Sequence, residues 1–174
     1  MSRSFLFITS QNTSPDLVRQ LQEADQEFPV TNPFNPARVA EADQTKANSF
    51  VVKVDFDVFE DFTNDQLRDI VNDRSRRFNW VLGGVFVVLD DYGVETKTVI
   101  VHLKDSIFDD ETEEVTGWCW RSWRVQFDAA SLMVMMIDNK REIVEEVYIK
   151  KADRFTGADG IFRMKDAERE YGCR

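Results

Sequence analysis

The run Val85-Phe86-Val87-Val88-Leu89, introduced by Gly83-Gly84 and stopped by Asp90-Asp91, constrains this chain more than any other stretch. A strand-length run of apolar residues has no polar face to offer water, so the strand it forms is buried on both sides. Such a sheet needs helices packed on it, and the sequence announces them. Ser14-Pro15-Asp16 places an N-cap, a first-turn proline and a first-turn acid ahead of Leu17, Val18 and Leu21, predicting a helix over about 15–25. Thr63-Asn64-Asp65-Gln66 has the capping-box spacing and opens a helix that carries Leu67, Ile70 and Val71 toward a core.

Further strands are expected at Ser4–Ser10, at Phe50–Phe56 from strict alternation, at Thr96–Lys104, and at Leu132–Ile137. Along Thr96–Lys104, Val99, Val101 and Leu103 face one way and Ile100 and His102 the other. Asn139 and Glu142 predict a capped helix bearing Ile143, Val144 and Val147. Ala37–Ala47 reads as a short helix, and residues 105–116 as an exposed acidic loop. Pro29, Pro33 and Pro36 break regular structure, making 26–36 an internal linker or flap, and 164–174 reads as a frayed, charged tail. The fold expected is α/β or α+β: one domain over 1–174, with a mixed central sheet and helices packed on it. The alternating first half predicts some parallel pairing, and the short connection from Asp90 to Thr96 an antiparallel pair.

With a net charge of −10 and its cationic residues scattered, the chain repels phosphate backbones, so nucleic acid is not an expected partner. The opening residues hold only four consecutive apolar side chains, and no later run approaches the ~18 needed to span a bilayer. A cytoplasmic location without membrane partners is expected. Cys119 and Cys173 lie far apart, the second next to the C-terminus, so no disulfide framework is expected. His102 is the sole histidine, which excludes histidine-rich zinc sites and leaves only a carboxylate-held metal such as Mg²⁺ on Asp55, Asp57, Asp90 and Asp91 as an alternative, and no metal site is assigned. No Gly-x-Gly-x-x-Gly, Walker, Cys-x-x-Cys or Gly-x-Ser-x-Gly element is present, and no cofactor is expected.

Two constellations carry chemistry. Asp55 and Asp57 end one predicted strand and Asp90 and Asp91 another; parallel neighbours would bring them to the sheet edge where open α/β folds place ligands. Paired carboxylates there exchange protons when like charge drives their pKa values apart, and His102 is the remaining acid/base candidate. The second constellation is Trp118, Trp120 and Trp123 with Arg121 and Arg124, then Met133, Met135 and Met136. Tryptophan faces and adaptable methionines build either a core or the wall of a substrate pocket, and the arginines stack on rings or receive a carboxylate. Trp118 and Trp120 share a strand face and Trp123 takes the other, which a bulge or a turn near Arg121-Ser122 would reconcile.

Val52-Lys53-Val54-Asp55-Phe56 resembles the "(R/K)-T-D-F" strand of a bacterial and fungal family of small domains of unknown function, and Asp159-Gly160-Ile161-Phe162-Arg163 resembles its closing "D-G-V-F-R-G-F". The resemblance covers about residues 49–163 and departs at Val54 and at Met164-Lys165; it implies a fold unit and no activity. The Asp-x-Asp and Asp-Asp elements also resemble those of haloacid-dehalogenase-like phosphotransferases, but that family's intervening threonine/serine and lysine elements have no match.

Two functions are expected from these residues. One is a small cofactor-independent enzyme or binder acting on an apolar or aromatic small molecule by acid/base chemistry, of isomerase, cyclase or lyase type. The other is a non-catalytic acidic protein, of inhibitor or immunity type, that binds a basic protein partner.

Overall fold

The computed structural model describes residues 3–24, 34–36, 57–77, 81–109 and 111–171. Its fold is α+β, with one mixed five-stranded sheet in the order β2-β1-β3-β4-β5. The strands are β1 (Arg3–Ile8), β2 (Phe34–Pro36), β3 (Val81–Leu89), β4 (Thr98–Phe108) and β5 (Val115–Gln126). β1 runs parallel to both β2 and β3, while β3–β4 and β4–β5 are antiparallel. The helices are α1 (Pro15–Glu23), α2 (Asn64–Arg77), α3 (Asp91–Thr96), α4 (Phe127–Asn139), α5 (Arg141–Ile143), α6 (Ala152–Phe155) and α7 (Met164–Tyr171), with a π-helical segment at Val144–Ile149.

The chain winds first to one side of β1, through α1 to β2, then crosses to the other side, through α2 to β3. Right-handed crossovers of opposite direction put their helices on opposite faces. Accordingly Val18 and Leu21 of α1 pack with Leu6, Ile8, Val87, Val101, Val125 and the α4 residues Met133 and Met136 in a large, mostly aliphatic core. Leu67 and Val71 of α2 pack on the reverse face with Phe5, Phe7, Phe59, Phe86 and Val88, a smaller aromatic core. β3 supplies both, as its uninterrupted apolar run requires.

The caps form as the sequence predicts. Ser14 Oγ accepts from the Leu17 N–H at 3.1 Å. At α2, Gln66 N–H donates to Thr63 Oγ1 at 3.3 Å and Thr63 N–H returns to Gln66 Oε1 at 2.8 Å.

Five expectations are corrected. Leu132–Ile137 lies within α4 rather than in a strand: its apolar run is long enough for a helix buried nearly all round, and periodicity alone does not separate the two. Asn139 does not cap the next helix; its side-chain amide donates to Met135 O at 2.9 Å, closing α4. Residues 34–36 are not linker but strand, because β2 is an edge where proline is tolerated. The 164–174 tail is helical over Met164–Tyr171, with Met164 and Ala167 buried. The acidic loop shrinks, since β4 runs on to Phe108 and Asp105 is buried, held by Arg121 Nε at 2.5 Å and by Arg141. The expected helix at 37–47, the strand at 50–56 and Cys173 lie outside the described residues.

Candidate functional site

The carboxylates at the C-terminal end of β3 meet the C-terminal end of β1, the place ligands occupy in open α/β sheets. Asp90 N-caps α3, with Oδ1 accepting from Gly93 N–H at 2.8 Å. Arg124 grips the same carboxylate with both terminal nitrogens, at 2.9 and 2.5 Å, while also donating to Thr98 Oγ1 at 3.1 Å. Its guanidinium carbon lies 4.8 Å from the Tyr92 ring centroid. Burial works to raise the Asp90 pKa, but the Arg124 and Gly93 hydrogen bonds and the Arg124 charge outweigh it, holding the carboxyl below its ordinary value. Asp91 accepts from Ser10 Oγ at 2.5 Å and from Asn12 Nδ2 at 3.5 Å. These groups lock the loop after β1 to the loop after β3.

Asp57 is not brought against them. Val58 bridges Ile8 on one side of β1 and Leu89 pairs with Ile8 on the other, so Asp57 and Asp90 stand two strand spacings apart, about 10 Å. Asp55 lies outside the described residues. Among those residues no three His, Cys, Asp or Glu side chains gather as a metal-binding group.

The tryptophan segment is one unbroken strand. Its register with β4 is regular from Thr98↔Gln126 to Ile107↔Gly117, so no bulge occurs at Arg121-Ser122, and the side chains simply alternate. Trp123 enters the aliphatic core, 7% exposed, and its Nε1–H donates to Tyr148 O at 2.9 Å. Arg121 shares that face, where the Asp105 hydrogen bond raises its pKa despite partial burial. Trp120 turns to the aromatic face, 5.4 Å from the Phe86 ring. Trp118 is 59% exposed, with Lys104 Nζ 5.0 Å above its ring. Met135 is exposed on α4 while Met133 and Met136 are buried. The three tryptophans therefore do not wall one pocket.

His102 is buried on the aromatic face and stacks on Phe86 at 4.4 Å with an interplanar angle of 7°. Arg68, on α2 next to core-facing Leu67, lays its guanidinium 5.2 Å from the Trp120 ring centroid. Burial, with a smaller contribution from the Arg68 charge, pushes the His102 pKa from 6.5 down to about 4. Its imidazole is neutral at pH 7. No carboxylate hydrogen-bonds it, so the described residues offer no coupled acid and base.

A second locus lies beyond what the sequence motifs indicate: the far end of the β4–β5 hairpin. Ile107, Phe108, Val115 and Trp118 are exposed there, the least of them by 45%. The turn beyond them is ordered by Asp109, whose Oδ1 accepts from the N–H groups of Glu111 at 3.0 Å and Thr112 at 2.9 Å. Those backbone bonds, Thr112's first, lower the Asp109 pKa. Glu113 adopts φ 56°, and Glu111, Glu113 and Glu114 crowd the same turn. The signal in the sequence is Ile107-Phe108 and Val115 flanking the acids; strand apolarity with nothing beyond it to cover is the inference that finds the patch. Arg68 leaves no signal, since a polar residue beside a helix's core stripe is ordinary.

No helix of the described residues is long and apolar enough to cross a membrane. No family model, curated protein or solved structure matches the chain. Of the two stretches behind the family resemblance, the first, Val52–Phe56, lies outside the described residues. The second folds as a tight turn: Gly160 has φ 73°, Arg163 pairs with Asp159 at 2.5 Å, and Ile161 bridges Arg124.

Proposed function

We propose that this is a non-catalytic cytoplasmic interaction protein whose β4–β5 hairpin receives a basic, extended segment of a protein partner. The observation that carries this reading is the coincidence on β5 of three features. Among the described residues, its outer edge has no strand neighbour, and only Arg124 near its end is bridged, by Ile161. Exposed Val115 and Trp118 sit at its beginning beside exposed Ile107 and Phe108 at the end of β4, and an acidic turn adjoins them. A long apolar edge is a template for strand addition, in which backbone hydrogen bonds give affinity and alternate side chains give specificity. The acidic turn and the net charge of −10 select lysine and arginine in the arriving segment and disfavour a second copy of the same chain. Acid/base catalysis has less behind it: Asp90 is held ionised by Arg124, and His102 is neutral and apart from it.

A fluorescent peptide alternating lysine and valine tests this reading by anisotropy. Saturable binding that weakens with salt is expected, with no binding when glutamate replaces lysine. Trp118→Asp should abolish it while changing stability by only about 0.5 kcal/mol, because the side chain is largely in water already. Equal binding of the glutamate peptide, unaltered binding by the variant, or a stable homodimer by sedimentation would overturn the proposal.

A further inference from the structure

The aromatic face contains buried polar groups that no described residue matches. Both ring nitrogens of His102 and the Nε of Arg68 are buried without a hydrogen-bond partner. His102 is only 3% exposed. Leaving a buried donor or acceptor unmatched forfeits its hydration without return. Elsewhere comparable groups are met: Trp123 Nε1 by Tyr148 O, Ser4 Oγ by Val85 O, and Asp105 by two arginines. Other orphaned atoms, such as Thr13 Oγ1 and Asp128 Oδ1, stand singly on separate elements. Here the unmatched atoms belong to one contiguous group, running from His102 through Phe86 and Trp120 to Arg68, whose charge acts on His102.

The chemistry of the place is specific. Phe86 covers one face of the imidazole, Trp120 packs edge-on against Phe86, and the Arg68 guanidinium lies over Trp120, near enough for its charge to act on His102. The outer end of Arg68 donates from one terminal nitrogen to Asp65 Oδ1 at 2.7 Å, but Asp65 is 85% exposed, so water screens much of its charge. The inward Nε–H and one imidazole N–H are left as donors beside a guanidinium charge, with aromatic rings as walls. Two donors next to a cation are matched by an anion with two acceptor oxygens, the geometry of a carboxylate.

We propose that the region between α2 and strands β3–β5 binds a small organic carboxylate, whose oxygens take the Arg68 Nε–H and a His102 ring N–H while its apolar body lies against Phe86 and Trp120. This site is separate from the hairpin edge, and its standing does not depend on the protein-docking reading. Bound negative charge beside the imidazole would also raise its proton affinity.

Because His102 is the only histidine, its ring nitrogens report unambiguously in nitrogen-15 NMR of the full chain. Sodium benzoate at pH 7 and constant ionic strength should shift them saturably, with a Kd of about 1 mM or tighter. It should raise the thermal midpoint with concentration, as a ligand of the folded state does. Benzamide, the uncharged counterpart, should do neither. Arg68→Gln, observed at the same nitrogens, should lose the benzoate response; His102→Phe, which keeps the stacked ring, should lose the thermal shift. No saturable shift up to about 50 mM benzoate, which would assign these groups to water alone, overturns the proposal. So does an equal response to benzamide or an undiminished response in Arg68→Gln. If either variant fails to fold, the wild-type comparison of benzoate with benzamide decides alone.

Discussion

The two faces of the sheet are built from the same strands and finished to different standards. On the aliphatic face β5 contributes Trp123 and Val125, helices cover them, and the one indole N–H finds a backbone carbonyl. On the aromatic face the neighbouring residues of β4 and β5 contribute His102 and Trp120, Leu67 and Val71 of α2 pack over that side, and among the described residues the ring nitrogens of His102 and the Nε of Arg68 have no match. A core selected only for stability satisfies its polar groups, because every unmatched buried one subtracts from a small total. On the aliphatic side the orphaned Asp128 Oδ1 stands alone at the start of α4, whereas the aromatic face gathers several such atoms in one group, a feature that stability alone does not explain.

That contrast can be broken most forcefully at Trp123. Trp123→Ala should destabilise by about 3–5 kcal/mol in denaturant unfolding, through the cavity left in the aliphatic core and the unmatched Tyr148 carbonyl. A cost close to that of Trp118→Asp would mean that the faces are not differentiated in this way. A smaller effect is expected at the loop lock. Asp90→Asn retains an acceptor for Gly93 N–H but removes the charge facing Arg124, whose side chain is 16% exposed, and should cost about 1–3 kcal/mol. Since the folded-state pKa of Asp90 is depressed, the wild-type contribution is present above the ordinary carboxylate range and is lost as pH falls through the folded value. The variant should therefore lose less stability than the wild type on acidification, as unfolding curves at pH 7 and pH 3 would show.

Much of the scaffold is legible in the sequence because it is written locally. The caps of α1 and α2 are short-range hydrogen bonds between residues three apart, and the double burial of β3 is stated by its lack of a polar face. Leu132–Ile137 misleads because a run apolar all round has no period to distinguish helix from strand. The tryptophans mislead for the opposite reason: their alternation is plain, but gathering them into a single pocket demands a bulge where the strand is regular. The Asp90–Arg124 lock and the placing of the Arg68 charge near His102 each involve residues 34 positions apart, and no local pattern encodes such neighbours.

The most direct test of the contrast is the titration of His102 in the protein without added carboxylate, tracked by NMR at its ring nitrogens. Its folded pKa lies below the unfolded one, so the neutral form is favoured by folding; stability is fully present above pH 6.5 and falls as pH drops toward about 4. The slope over that window is about 1.4 kcal/mol per pH unit, and His102→Phe should remove it. An imidazole midpoint at about 4 is expected. A midpoint near 6.5, the value of an imidazole in water, would place His102 in solvent or beside a partner and contradict the claim that the aromatic face holds it buried and unmatched.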